Sequence, residues 1–309
     1  MIQTVYVCGR GAVGTTIGDL FATYLPEERF AFLVDSNRKA RYENQPILVN
    51  GQAKTYRYLT KEEATSENQA DLIFFACKSY SLDEAMEEAA PFIQDKTILM
   101  SGINGIESEN RLKRRFPNQP IVHAIAQNMD SCYDSKKQDL HFTTRGEIVF
   151  GPATSDLLKE AKAVEELFLH CHIPYIFSSN ILLDQGSKLM FNCGINQVCA
   201  AYNATYGEVA NNPVLFELFK QAMEEARLVL AALHQDPGQA ALDNWAYKIT
   251  TFDPNSMPSM AQDIKANRPL ELDLFSGTIL PLAQQAHIET PVLEDLYQRL
   301  SSQALSEPL

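Results

Sequence analysis

Along the first half of the chain, short β-rich runs alternate with helically spaced apolar positions. TVYVC is followed by AVGTTIGDLFATYL and FAFLV, and DLIFFACK, DEAMEEAAPFI and TILMS repeat the alternation later. That order predicts right-handed βαβ units and a mostly parallel sheet. Asn50-Gly51, between ILV and AKTYRYL, predicts a hairpin within this frame. PIVHAIA and GEIVFGP add strands, SDLLKEAKAVEELFLHC a helix, and IPYIF a short run after it. From about Ser179 the pattern changes. ILLDQGSKLMFNCGINQVCAAYNA, PVLFELFKQAMEEARLVLAAL, LDNWAYKITTF and LELDLFSGTILPLAQQA are long helical patterns with little strand signal. The expected class is α/β, with a doubly wound parallel sheet over residues 1–179 and an all-α domain over residues 180–309.

Between the first strand and the first helix stands CGRGAVG, where Gly9, Gly11 and Gly14 form GxGxxG. Gly9 would allow the tight turn, Gly11 the close approach of a pyrophosphate, and Gly14 the packing of helix on strand. Phosphates would rest on N–H groups at the helix start, which brings Arg10, Ala12 and Val13 into the same candidate set. Glycines also end strands for structural reasons alone, but here the context is that of a Rossmann-type dinucleotide-binding domain. Asp35 follows the second strand pattern, 21 residues beyond Gly14. A carboxylate there accepts hydrogen bonds from ribose hydroxyls and repels a 2′-phosphate, which favours NAD(H). Arg38 and Lys39 could neutralise a 2′-phosphate if Asp35 turned away, so both cofactors stay open.

In the helical half, KLMFNCGIN sets Lys188, Asn192 and Asn196 four apart, a polar stripe on one helix face. The Lys188 ammonium can donate to a carbonyl oxygen that becomes alkoxide-like during reduction, and partial burial beside Leu189, Met190, Phe191 and Cys193 would lower its pKa. The competing reading is a surface lysine on an amphipathic helix. Asn192 and Asn196 can hold the lysine or substrate oxygens, or can satisfy loop backbone.

Composition narrows the function. Hydrophobic residues make up 45% and charged residues 21%, a globular balance. The formal net charge of −13 argues against a nucleic-acid partner, and the basic run RLKRR at 111–115 reads as the solvated end of a helix. The six cysteines contain no CxxC pair, so no metal site or disulfide framework is expected. No apolar run approaches the ~18 residues of a membrane span, and MIQTVYVCGRG has no leader pattern. A cytoplasmic protein acting on a small molecule is the expectation, with no membrane partner.

These residues resemble the 2-dehydropantoate 2-reductase, or ketopantoate reductase, family over most of the chain. Gly9 to Gly14 match its GxGAxG loop, Lys78 in FFACKSYSLDEA its cofactor-contacting lysine, and Asn104-Gly105 in TILMSGING the pair near the nicotinamide. KLMFNCGIN is similar to its K-L-x-x-N-x-x-x-N segment, and SMAQDIKANRPLELD to its S-M-x-Q-D-x-x-x-x-R-P-x-E-I-D segment. The resemblance implies Lys188 as proton donor, Asn192 and Asn196 as residues that orient it and the substrate, and Ser259 and Glu271 as substrate-binding. It implies NADP(H), although Asp35 replaces the arginine many NADP-using members carry. Ile103, Glu107 and Gln197 are further departures. Ser259 and Gln262 also fit a helix capping box, and Glu271 a first-turn glutamate after Pro269. The implied reaction is reduction of 2-dehydropantoate to pantoate. A reductase of another branched 2-oxo acid, or a non-catalytic redox sensor, would share the fold, and a homodimer is compatible with either.

Overall fold

In the computed structural model, which describes residues 2–306, the alternating half of the chain forms a sheet of doubly covered strands. β1 (Val5–Cys8) and β2 (Phe30–Leu33) are buried at every position, as expected of parallel strands with helices on both faces. α1 (Ala12–Tyr24) connects them, and α2 (Ser36–Asn44) leads to the hairpin of β3 (Ile47–Val49) and β4 (Gln52–Lys54). Asn50 and Gly51 turn it at φ 47° and 77°, the paired positive values that a tight hairpin favours. There follow β5 (Tyr58–Leu59), β6 (Ala70–Phe75), α3 (Leu82–Ala89), β7 (Ile93–Ser101), α4 (Glu107–Arg115) and β8 (Ile121–Gln127). β9 (Cys132–Asp134), β10 (Asp139–His141), β11 (Glu147–Gly151), α5 (Leu158–His170) and β12 (Tyr175–Phe177) complete this region.

The main sheet runs β12-β11-β8-β7-β6-β1-β2-β5 and is parallel except where β11 meets β8. Strand order reverses at β1, which makes its carboxyl end the switch point of a doubly wound sheet. Phe21, Phe32, Phe74, Phe150 and Phe168 lie in the core around it. A second sheet, β4-β3-β10-β9, buries Ile47, Val49 and Leu140 and packs on Ala12 and Tyr56. The basic run at the end of α4 is tied to α3, with Arg111 2.8 Å from Asp83 and Arg115 3.3 Å from Glu87.

The second region is helical: α6 (Ile181–Tyr202), α7 (Tyr206–Asn211), α8 (Pro213–Ala232), α9 (Gln239–Lys248), α10 (Ser259–Lys265), α11 (Ser276–Ala286) and α12 (Pro291–Ser306). Thr205 and Glu208 close a capping box on α7, and Asn212 caps α8 with Pro213 in its first turn. α8 packs against α7, α9, α11 and α12, with Phe219, Met223, Ala226 and Leu230 buried. From Leu189 to Cys199 every residue of α6 is buried, so the helix has no solvent face over that stretch. The chain divides into two units, residues 2–104 with 108–181 and residues 105–107 with 182–306. Ile181 falls in the first because it packs with Ile125 and Val149, two residues later than the change of pattern at Ser179. No helix among the described residues is long and apolar enough to cross a membrane.

Candidate active site

Beyond Cys8 the chain must reverse sharply to begin α1. Gly9 makes this turn at φ 106°, and a β-carbon there would lie 2.7 Å from the Ala76 carbonyl and the Cys77 nitrogen. Only glycine fits. A β-carbon on Gly14 would come within 1.9 Å of the Gly9 carbonyl oxygen, so the second constraint holds helix against loop. Gly11 has open space where a side chain would be, and it stands at the N-cap of α1 without a side-chain cap. The first intrahelical bond runs from the Thr15 N–H to the Gly11 carbonyl, leaving the amides of Ala12, Val13 and Gly14 for an anion. An open cradle at a helix N-terminus fits a pyrophosphate. Asp35, Lys78 and Asn104 follow β2, β6 and β7, so the first-unit candidates share the carboxyl edge of the sheet.

Their engagements differ from the simplest sequence reading. Asp35 caps α2: its Oδ1 accepts the Arg38 N–H at 2.8 Å, and Oδ2 lies 3.3 Å from Arg38 Nη1. The Lys39 ammonium is drawn to Glu63 at 2.5 Å. An aspartate at an N-cap meets unsatisfied first-turn donors, which is the local reason for this arrangement. Lys78 is half-buried before the short turn Ser79–Ser81, and Asn104 is half-buried beside Gly105, whose φ is 90°. Arg10 is buried, with its guanidinium 3.5 Å over the Tyr42 ring.

In the helical unit the Lys188 side chain lies against aromatic rings. Its Nζ is 5.2 Å from the Phe191 ring centroid and 5.5 Å from that of Trp245, within cation–π range. The two rings stack at 4.2 Å with a 17° interplanar angle, and the Trp245 Nε1–H donates to the Ser187 hydroxyl at 2.9 Å. Burial first, and the neighbouring Lys248 second, lower the Lys188 pKa to about 8. Lys248 sits on the same indole, 4.6 Å from its centroid. The lysine is therefore a perturbed amine on an aromatic wall, unlike the solvated lysine of an amphipathic helix.

Asn192 and Asn196 share that helix and are 3% and 4% exposed. Ser259 is exposed as the first residue of α10; Pro258 holds the cap position and no side chain caps the helix, so the capping-box alternative does not apply. Gln262 instead donates to the Met257 carbonyl at 2.8 Å. Glu271 is half-buried before the short turn Leu272–Leu274 and outside any α-helix, so it is not a first-turn α-helical glutamate. Sequence reasoning left Trp245 and Lys248 inside a generic helical pattern; the only signal was that Trp245 is the chain's sole tryptophan.

A doubly wound sheet with an anion-accepting glycine turn, followed by helices that carry a perturbed lysine, defines a nicotinamide-dinucleotide-dependent oxidoreductase. The family model for ketopantoate reductase PanE/ApbA matches residues 5–155 and its C-terminal counterpart matches residues 180–304. The chain belongs to the ketopantoate reductase family. It is 22% identical to the uncharacterized oxidoreductase YkpB of Bacillus subtilis over 95% of this chain and 96% of that protein. Its fold is similar to D-mandelate dehydrogenase solved with NADH and anilino(oxo)acetate, with TM-score 0.86, 19% identity and 98% of each chain covered. It is also similar to dimeric ketopantoate reductase from Staphylococcus aureus, with TM-score 0.81 and 19% identity over 99% of this chain and 100% of that one.

Proposed function

We propose that the chain reduces 2-dehydropantoate to pantoate in the cytoplasm, with Lys188 as proton donor. The observation that carries this reading is the Lys188 ammonium held on the Phe191–Trp245 wall, with a pKa brought down to about 8. An acid poised there gives its proton to a developing alkoxide more readily than an ordinary lysine. When bound, the reduced nicotinamide supplies the hydride. Lys78 and Asn104 contact that cofactor, while Asn192 and Asn196 orient the lysine and the 2-oxo acid. Ser259 receives the substrate carboxylate, and Glu271 accepts a hydrogen bond from its hydroxyl. A homodimer agrees with the S. aureus relative.

A second reading keeps the reaction and changes the substrate. The stacked Phe191 and Trp245 rings beside Lys188 would suit a bulkier, hydroxyl-free 2-oxo acid. Comparing kcat/KM for 2-dehydropantoate, its analogue without the hydroxyl, and phenylglyoxylate separates the two. The first reading expects at least about a tenfold preference for 2-dehydropantoate over the analogue, because Glu271 loses its partner. Equal rates, or a preference for phenylglyoxylate, would transfer the assignment to the second. Dinucleotide binding with no turnover of any 2-oxo acid would mean a sensor.

A further inference from the structure

We propose that Lys248 binds the carboxylate of the 2-oxo acid while Lys188 holds its carbonyl oxygen, so that two ammonium groups on one indole grip the substrate. The proposal rests on Lys188 facing the carbonyl and adds the group that recognises the acid. Lys248 closes α9 and Lys188 stands in α6, yet both reach Trp245. The Lys248 Nζ is 4.6 Å from the centroid of the Trp245 ring and the Lys188 Nζ is 5.5 Å from it. The two nitrogens are therefore no farther apart than those distances combined.

The indole acts as a rigid spacer between them. Phe191 stacks on it at 4.2 Å with a 17° interplanar angle, and its Nε1–H donates at 2.9 Å to the hydroxyl of Ser187, the residue before Lys188. Stacking and a hydrogen bond together hold the ring, and with it the spacing of the two ammonium groups, before any ligand arrives. Contact between Lys248 and Trp245 is local, since residues three apart share a helix face. The approach of Lys188 from a second helix is not local. All these residues belong to the helical unit.

A lysine in the last turn of a helix ordinarily extends into water, where it complements the carbonyl ends. Lys248 is half-buried instead, beside a buried indole and a second cation. Bringing two like charges to one apolar wall is unfavourable. Burial and Lys248 both lower the Lys188 pKa, whereas a carboxylate paired with Lys188 would raise it. An anion seated between the two ammonium groups offsets both penalties.

Chemistry selects the anion. In a 2-oxo acid the carbonyl oxygen and the nearest carboxylate oxygen lie about 3 Å apart by ordinary bond lengths. With a charge-assisted hydrogen bond of about 2.8 Å at each end, the acid bridges nitrogens up to about 9 Å apart. Each ammonium has three donors, so Lys248 can serve the protein with one and the carboxylate with another. Ser259 offers the same carboxylate a neutral hydroxyl, and the charge comes from Lys248. The carboxylate stays anionic throughout reduction, so Lys248 binds substrate and transition state alike: it acts on KM, whereas Lys188 acts on kcat.

The test is isothermal titration of the full-length chain, saturated with NADPH or with NADH, using oxamate and its neutral counterpart oxamide. Wild type should favour oxamate by at least about tenfold, the scale of one charge-assisted contact. Lys248→Met should weaken oxamate at least about tenfold while leaving oxamide within about threefold, and Lys248→Arg should restore most of the oxamate affinity. At pH 7, where Lys188 keeps its proton, Lys248→Met should raise KM for 2-dehydropantoate at least about tenfold with kcat within about threefold. A smaller loss of oxamate, equal losses of both ligands, or a fall in kcat at unchanged KM would overturn carboxylate binding by Lys248. Absence of turnover with every 2-oxo acid would instead defeat the reductase reading, and the oxamate titration would still decide the role of Lys248. Should Lys248→Met not fold, Lys248→Gln is read by the same criteria.

Discussion

The glycine turn and the Lys188 wall are built in opposite ways. At the turn, the proposed function belongs to backbone: Gly9 and Gly14 are fixed by β-carbon clashes at 2.7 and 1.9 Å, at the start of a helix whose first amides have no intrahelical partner. At the wall, the proposed function belongs to one side chain whose acidity is set by what packs around it, chiefly burial and then Lys248. A backbone site is specified by local steric rules, whereas a tuned amine depends on residues distant in sequence. Damage to each should leave different traces.

The largest effect is expected at the wall. Lys188→Ala should lower kcat by at least about a hundredfold, the low end for a positioned acid, while changing cofactor Kd less than about threefold. A kcat loss below tenfold would remove Lys188 from the role. Gly14→Ala should do the reverse. Its new methyl meets the Gly9 carbonyl, so cofactor Kd should rise about tenfold and stability fall by about 2 kcal/mol in denaturant titration. Unchanged cofactor affinity would mean that the turn relaxes freely.

This contrast also explains how much was legible in the sequence. GxGxxG, the strand–helix alternation and Asn50-Gly51 are local patterns, and each element stands where its residues predict. The second sheet was not foreseen beyond its hairpin, because β9 and β10 are three-residue strands with little apolar periodicity. Lys188 was visible through its stripe, but the Phe191–Trp245 stack that surrounds it was not. Likewise the Arg10 guanidinium donates to Gln138, 128 positions away, a separation that no local rule spans. Asp35 illustrates a competition: the same carboxylate suits a ribose and a helix N-cap, and the cap is satisfied by Arg38, three residues further along the chain.

Two smaller effects sharpen the comparison. Folded Lys188 gives up its proton near pH 8, while the unfolded chain holds it to about 10.5. Between those values the unfolded state binds more protons, so the penalty is full below pH 8 and fades as pH rises to 10.5. Lys188→Met should therefore raise Tm at pH 7, with the gain shrinking toward pH 10.5; a lower Tm at pH 7 would show that the amine stabilises the fold. Asp35→Ala should cost about 1 kcal/mol through loss of the α2 cap, measured by urea unfolding. A loss under about 0.3 kcal/mol would show that water replaces the cap.

The most direct test is the pH dependence of kcat/KM for reduction of 2-dehydropantoate at saturating cofactor. With Lys188 as the acid, the rate should fall as pH rises through about 8, and the same limb should be absent from the residual activity of Lys188→Ala. A wild-type profile flat from pH 7 to 10, or a limb that survives the substitution, would contradict proton donation by Lys188.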